Sequence, residues 1–209
     1  MTAFRPQRCL AMTALLLTTM LSAQQKDGPS PIATQRAEDS YAIYSLLLNE
    51  QPFDALPSSQ TGQLAIADTT VSVREMNPVV LPESSLQPPD DNVNGFEEAV
   101  HDFESRRFER VQLTRRFKLS EGYTLLNSGQ VADFRNARAG TSPGSDLQSQ
   151  YAGYPGITFF TEVYFNSQRT AALVYRNNWC ASPCSSGQWF YLEKHGDAWT
   201  RRSGSEPHP

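Results

Sequence analysis

The stretch Ile157-Thr-Phe-Phe-Thr-Glu-Val-Tyr-Phe-Asn-Ser-Gln-Arg-Thr-Ala-Ala-Leu-Val-Tyr175, carried on through Gln188-Trp-Phe-Tyr-Leu-Glu-Lys194 to Trp199, decides the fold class. Its side chains alternate, which places Ile157, Phe159, Thr161, Val163 and Phe165 on one face and Thr158, Phe160, Glu162 and Tyr164 on the other. Asn166-Ser-Gln-Arg169 is a four-residue connection, after which Ala172 and Val174 oppose Ala171, Leu173 and Tyr175. His195-Gly-Asp197 turns the chain again before Trp199. Connections this short force antiparallel pairing, because a parallel return needs a dozen residues or more. The block therefore predicts an antiparallel meander.

Upstream, the patterns change to helical spacing. Tyr41, Tyr44, Leu47 and Leu48, with Ile43 beside them, form an apolar stripe that Thr34 or Ser40 could cap and Pro52 ends. A second helix is predicted from Asn94 or Gly95 to about Arg107, with Phe96, Val100, Phe103 and Arg107 along one face. Between them, residues 63–71 alternate and are rich in branched side chains, so a strand is predicted there. Pro78, Pro82, Pro88 and Pro89 make residues 76–94 a Pro-rich loop, with a short helix near Glu83–Leu86. Val111 to Leu119 reads as strand or extended chain, residues 123–134 as ambiguous, and 135–153 as an irregular loop. The sum is an α+β fold: helices packed on one face of an antiparallel sheet dominated by the C-terminal meander, with residues 64–71 as a candidate added strand.

The N-terminus predicts export. Arg5 and Arg8 precede an apolar run, Leu10 to Leu21, that ends in the small residues Ser22 and Ala23. That run falls short of the roughly 20 residues a membrane-spanning helix requires. The expected organisation is a signal peptide at 1–23, a disordered leader at 24–33, one domain at 34–202 and a disordered tail at 203–209. Localisation is expected to be periplasmic or extracellular, with no stable membrane span after cleavage. Losing Arg5 and Arg8 moves the formal charge from −4 to −6. An acidic chain does not attract nucleic acid by bulk charge.

Cysteine usage agrees with that compartment. Cys9 lies in the signal, leaving Cys180 and Cys184 as an even pair. A structural disulfide closing the Cys180-Ala-Ser-Pro-Cys184 ring is the expected arrangement; on the loop-closure scale so short a ring contributes roughly 2 kcal/mol. A redox dithiol favours Cys-x-x-Cys at a helix start. Zinc would need two further ligands, and His101, His195 and His208 are scattered.

No catalytic signature emerges, and no cofactor or metal is expected. Glu97, Glu98, His101, Asp102 and Glu104 gather on the second helix, but a di-iron site would need a second copy of the Glu-x-x-His pattern. Arg106, Arg107, Arg110, Arg115, Arg116 and Lys118, with Phe108 and Phe117, are interrupted by Glu109 and read as partners for the protein's own acids. Tyr164, Tyr175, Trp189 and Tyr191 form the candidate ligand surface, along with Phe160 and Trp199, unless helices cover that face. The leading expectation is a non-enzymatic exported module that binds a protein or small ligand of the cell envelope. The alternative is a small envelope hydrolase whose site assembles from Glu162, Glu193, His101 or His195.

Two blocks of sequence carry a resemblance. The first is Tyr41-Ala-Ile-Tyr44-Ser-Leu-Leu-Leu-Asn49 followed by Leu64-Ala-Ile-Ala-Asp-Thr69. The second comprises Tyr154-Pro-Gly156, Val163-Tyr-Phe-Asn166, Ala172-Leu-Val-Tyr175, Cys180-x3-Cys184, Ser186-Gly187 and Leu192-Glu-Lys194 with Trp199. Together they resemble a group of uncharacterised exported bacterial proteins. The resemblance implies an N-terminal helix-and-strand unit before a C-terminal meander, and brings no known activity, substrate or catalytic residue.

Overall fold

Residues 28–50, 63–120, 122–139, 146–180 and 185–202 are described by a computed structural model. The meander forms as its alternation dictates. Strand β7 (Ala171–Trp179) pairs antiparallel with β8 (Ser186–His195), which pairs antiparallel with β9 (Ala198–Arg201). Gly196 supplies the positive φ of 61° in the short turn joining β8 to β9, a conformation that glycine adopts without steric cost. On the other side of β7 lie β5 (Ile157–Phe160) and the short β6 (Tyr164–Phe165).

Two parallel strands extend this sheet. β2 (Leu64–Ala67) pairs in parallel with both β5 and β4 (Tyr123–Leu126), giving the order β4-β2-β5-β7-β8-β9 with β6 beside β7. The added strand expected at 64–71 is therefore internal, and the sheet is mixed where an antiparallel one was expected. Parallel neighbours require long crossovers. Here they contain the helices α3 (Val93–Arg106), α4 (Ser128–Arg138) and α5 (Asp146–Tyr151). A smaller pair, β1 (Ser30–Pro31) with β3 (Val111–Gln112), brings the end of the expected leader into the fold. The remainder of 113–119 is extended chain outside any strand, with Leu113 and Phe117 buried.

Helices cover both faces, which corrects the expectation of a single covered face. Helix α1 (Thr34–Glu50) lays Ala37, Tyr41, Tyr44 and Leu47 on Ile66, Phe160, Ala172, Val174, Phe190 and Leu192. On the opposite face α3 seats Phe96, Ala99 and Phe103 against Ala171, Leu173, Tyr175, Trp189 and Tyr191. Beside it, Phe134 of α4 and Tyr151 of α5 pack on Ala65, Ala67, Leu126, Ile157 and Phe159. With both faces buried, β7 reads as an unbroken apolar run over Ala171–Tyr175. The short helix near 83–86 is α2 (Pro82–Ser85).

One extra residue redirects the strand at the centre of the prediction. Phe160 pairs with Arg176 and Tyr164 with Leu173, so four steps along β5–β6 oppose three along β7. This is a β-bulge at Thr161-Glu162-Val163. Because the side-chain period is two, the added residue flips every position beyond it. Ile157 and Phe159 consequently join the α4–α5 cluster, whereas Val163 and Phe165 join the α1 cluster. The common face expected for 157, 159, 161, 163 and 165 does not form.

The bulge also sets Glu162 inside the protein with no accessible side-chain surface. Arg106 of α3 grips its Oε1 at 2.5 Å, and Arg36 of α1 lies 3.8 Å away. Arg36 also pairs with Asp102 at 2.6 Å and donates to the Val163 carbonyl. Asp102 in turn accepts the backbone N–H of Phe165. Side chains from two helices thus meet the Phe165 N–H of β6 and the Val163 carbonyl just before it. Burial raises the Glu162 pKa, against the lowering by Arg106 and Arg36.

Candidate functional site

A cleft of about 820 Å³ opens among the described residues where β2, β4 and β5 end. Its floor comes from Ala67 and Leu126, the last residues of β2 and β4, and from Phe159 of β5, together with Tyr175, Asn177 and Trp179 of β7. One wall is α4. Ser128, Val131, Ala132, Arg135 and Asn136 recur at i, i+3, i+4, i+7 and i+8, so a single helical stripe faces the space. The other wall is the chain leaving β2, with Asp68, Thr69, Val71, Glu75, Met76 and Asn77, and with Arg110 beside it.

Local chemistry fixes both walls. Asn127 caps α4 by accepting from the Gln130 backbone N–H at 3.0 Å, while the Gln130 side chain accepts from the Asn127 N–H at 3.0 Å. This capping box starts the helix one residue after β4 and aims its stripe across the strand ends. The opposite wall is anchored by its backbone: the Asp68 N–H donates to Leu126, and the Asp68 carbonyl accepts from the Leu113 N–H and the Gln112 side chain. Gly156 lets the start of β5 approach β7 closely, since a Cβ there would lie 2.7 Å from the Trp179 carbonyl oxygen.

Among the described residues, the cleft carries four charged side chains of two kinds. Arg110 Nε lies 3.4 Å from Glu75, whose Oε2 also accepts from the Ser72 N–H, so these two charges are mutually committed. Asp68 and Arg135 are different. Asp68 accepts only the Thr69 hydroxyl on its side chain, at 3.0 Å, and no cation lies within ion-pair distance of it among the described residues. Arg135 lies over the Phe159 ring at 5.3 Å and the Trp179 ring at 5.6 Å, with no carboxylate partner among the described residues. Stacking holds a guanidinium in place while leaving its in-plane donors available.

The expected site residues are dispersed by the fold. Tyr164, Trp189 and Tyr191 lie buried beneath α3, where they are core; burial pushes the Tyr164 and Tyr191 hydroxyls up in pKa. Tyr175 alone of the four lines the cleft, nearly covered. Glu193 accepts from Asn92 and Tyr191 and pairs with Arg202 at 3.3 Å. His195 stands 4.0 Å from Glu193 with its side chain 63% exposed, and His101 is exposed on α3. Neither histidine nor either of these acids lines the cleft.

From the acidic cluster, Asp102 serves Arg36 and β6, and Glu98 accepts from Ser167. From the basic run, Arg106 pairs with Glu109 and Glu162, as expected of partners for the protein's own acids, while Arg74 and Arg107 stack on the exposed Phe108. Cys180 directly follows β7, and its sulfur is disulfide-bonded. Cys184 lies outside the described residues. No group of three or more His, Cys, Asp or Glu among the described residues could hold a metal ion, and no described helix is long and apolar enough to cross a membrane.

The α4 wall escaped the sequence reading. Residues 135–153 were expected as irregular loop, yet α4 runs to Arg138 and α5 follows. The Asn127-x-x-Gln130 box, with Val131 and Phe134 after it, was the available signal.

No family model matches the chain, and no curated protein or solved structure matches it.

Proposed function

We propose that this is an exported, non-enzymatic binding protein that holds a small ligand in the cleft at the ends of β2, β4 and β5. The observation that carries the reading is the cleft's size and placement. Its volume falls within the usual few hundred to 1,000 Å³ of small-ligand pockets. It also lies outside the carboxyl ends of parallel strands, where open sheets with crossovers hold ligands. Aromatic and aliphatic floor residues with a few convergent polar groups suit that task.

Export is supported by Arg5, Arg8, Leu10–Leu21 and Ala23, and the resemblance to exported bacterial proteins is in keeping with it. In this reading the partner of Cys180 is Cys184. Trp179 and Ser185, which flank that loop, both line the cleft, so the ring would hold two lining residues at a fixed separation. Intact-mass analysis of secreted protein should give a chain beginning after Ala23, lacking two thiol hydrogens and inert to alkylation. A chain retaining residues 1–23, or one with reactive thiols, would count against export or the ring respectively.

The binding reading has its own test. Protein equilibrated with a small-molecule extract of the exporting bacterium is expected to retain an organic mass in native mass spectrometry. Ala132→Trp, at an exposed position on the α4 wall, should fill the space and lose that mass while keeping the far-UV spectrum. No retained mass, or equal retention by the variant, sinks the reading.

A further inference from the structure

We infer that the ligand is a zwitterion, with an ammonium group received by Asp68 and a carboxylate received by Arg135, as in a free amino acid or a short peptide. This rests on the cleft being the ligand site. The inference comes from the charge arrangement inside it. Two of the four charged side chains satisfy each other, since Glu75 and Arg110 stand 3.4 Å apart. The remaining two are opposite in sign and sit on opposite walls: Asp68 follows β2, and Arg135 lies on the third turn of α4.

Neither of those two has an ion-pair partner among the described residues. Asp68 accepts one hydroxyl from Thr69, and an ionised carboxylate offers about four acceptor positions. The exposed Arg135 guanidinium lies over the Phe159 and Trp179 rings, an arrangement compatible with its N–H donors receiving a bidentate carboxylate. A ligand carrying one charge would leave the opposite wall facing an empty partner. A ligand with both charges answers both walls. Between them Val71, Met76, Val131 and Phe159 offer apolar surface for a hydrocarbon or aromatic side group, and Asn77 and Asn177 bring amides that suit peptide groups to the same space.

Calorimetric titration with L-phenylalanine, L-alanyl-L-phenylalanine, its N-acetyl derivative and its C-terminal amide tests the assignment. The zwitterionic probes are expected to bind, and each capped dipeptide should bind at least about tenfold more weakly, the loss expected when one charge-assisted contact goes. Asp68→Asn should erase the difference between free and N-acetyl dipeptide, while Arg135→Gln should erase the difference between free and amidated dipeptide. Tighter binding of phenylalanine than of the dipeptide assigns the free amino acid, and the reverse order assigns the peptide. Capped and free dipeptides binding equally to the unaltered protein overturns the inference without any variant. So does the failure of all four probes while an extract mass is still retained, a result that leaves the cleft as a ligand site and removes only the zwitterion. If neither the probes nor the extract bind, both readings fall.

Discussion

Arg106→Gln is expected to destabilise the fold by about 3–5 kcal/mol at neutral pH, the usual cost of stripping the partner from a buried charge. Glu162 has no accessible surface, and Arg106 is its one direct partner among the described residues, at 2.5 Å. Arg36 stands further off and is already engaged by Asp102. The Oε2 atom makes no hydrogen bond among the described residues. The loss should depend on pH in a definite direction. Burial already raises the Glu162 pKa, and removing Arg106 takes away the largest lowering influence, so the folded pKa rises further. A carboxyl whose folded pKa exceeds its unfolded pKa carries no penalty below both, where it is neutral in each state. The penalty grows as pH climbs from the unfolded value through the folded one. Urea unfolding should therefore show the deficit shrinking toward pH 4.5, the ordinary glutamate value. The double variant with Glu162→Gln should recover most of it. A deficit below about 1 kcal/mol that ignores pH would mean that the pair behaves as a solvated surface bridge.

Trp189→Ala should cost about as much, roughly 3–5 kcal/mol, for a different reason. The indole is buried between Phe103 at 5.2 Å, Tyr175 at 5.5 Å and Tyr164 at 6.2 Å. Its Nε1–H also donates to the Val80 carbonyl at 2.8 Å, tying the segment before α2 to the sheet. Truncation leaves a cavity beneath α3 and an unmet carbonyl together. Trp189→Phe keeps most of the volume and should lose only about 1–2 kcal/mol. Urea unfolding with near-UV circular dichroism separates the two variants. Equal losses would show that the hydrogen bond outweighs packing here.

The parts of this fold that were legible in the sequence are those whose signal is local. Alternation in 171–175 and 188–194 survives because both partners of each pairing lie within one short meander. The stripe at Tyr41, Tyr44 and Leu47 is legible because a helix repeats its buried face every turn. Parallel pairing of Leu64–Ala67 with Tyr123–Leu126 leaves no such mark, since α2, α3, β3 and their connections lie between the partners. The bulge is also silent: one inserted residue at 161–163 keeps the alternation on either side intact while exchanging the faces. Three of the four candidate ligand-surface residues are core for a related reason. Aromatic residues on a strand look the same whether a ligand or a helix lies above them, and α3 occupies that place for Tyr164, Trp189 and Tyr191. The cleft could not have been read from spacing, because Asp68, Arg135 and Trp179 come from three distant segments.

The way β6 is finished limits how this protein can meet others. A bare strand edge is a template on which another chain can add a strand, whether in a specific complex or in aggregation. At β6 that template is already filled by the Asp102 carboxylate at the Phe165 N–H and the Arg36 guanidinium at the Val163 carbonyl. Among the described residues of the large sheet, strand addition is therefore left the margins along β4 and β9. Cutting the Arg36–Asp102 clasp would do more than loosen two helices: it would uncover a third margin for self-association.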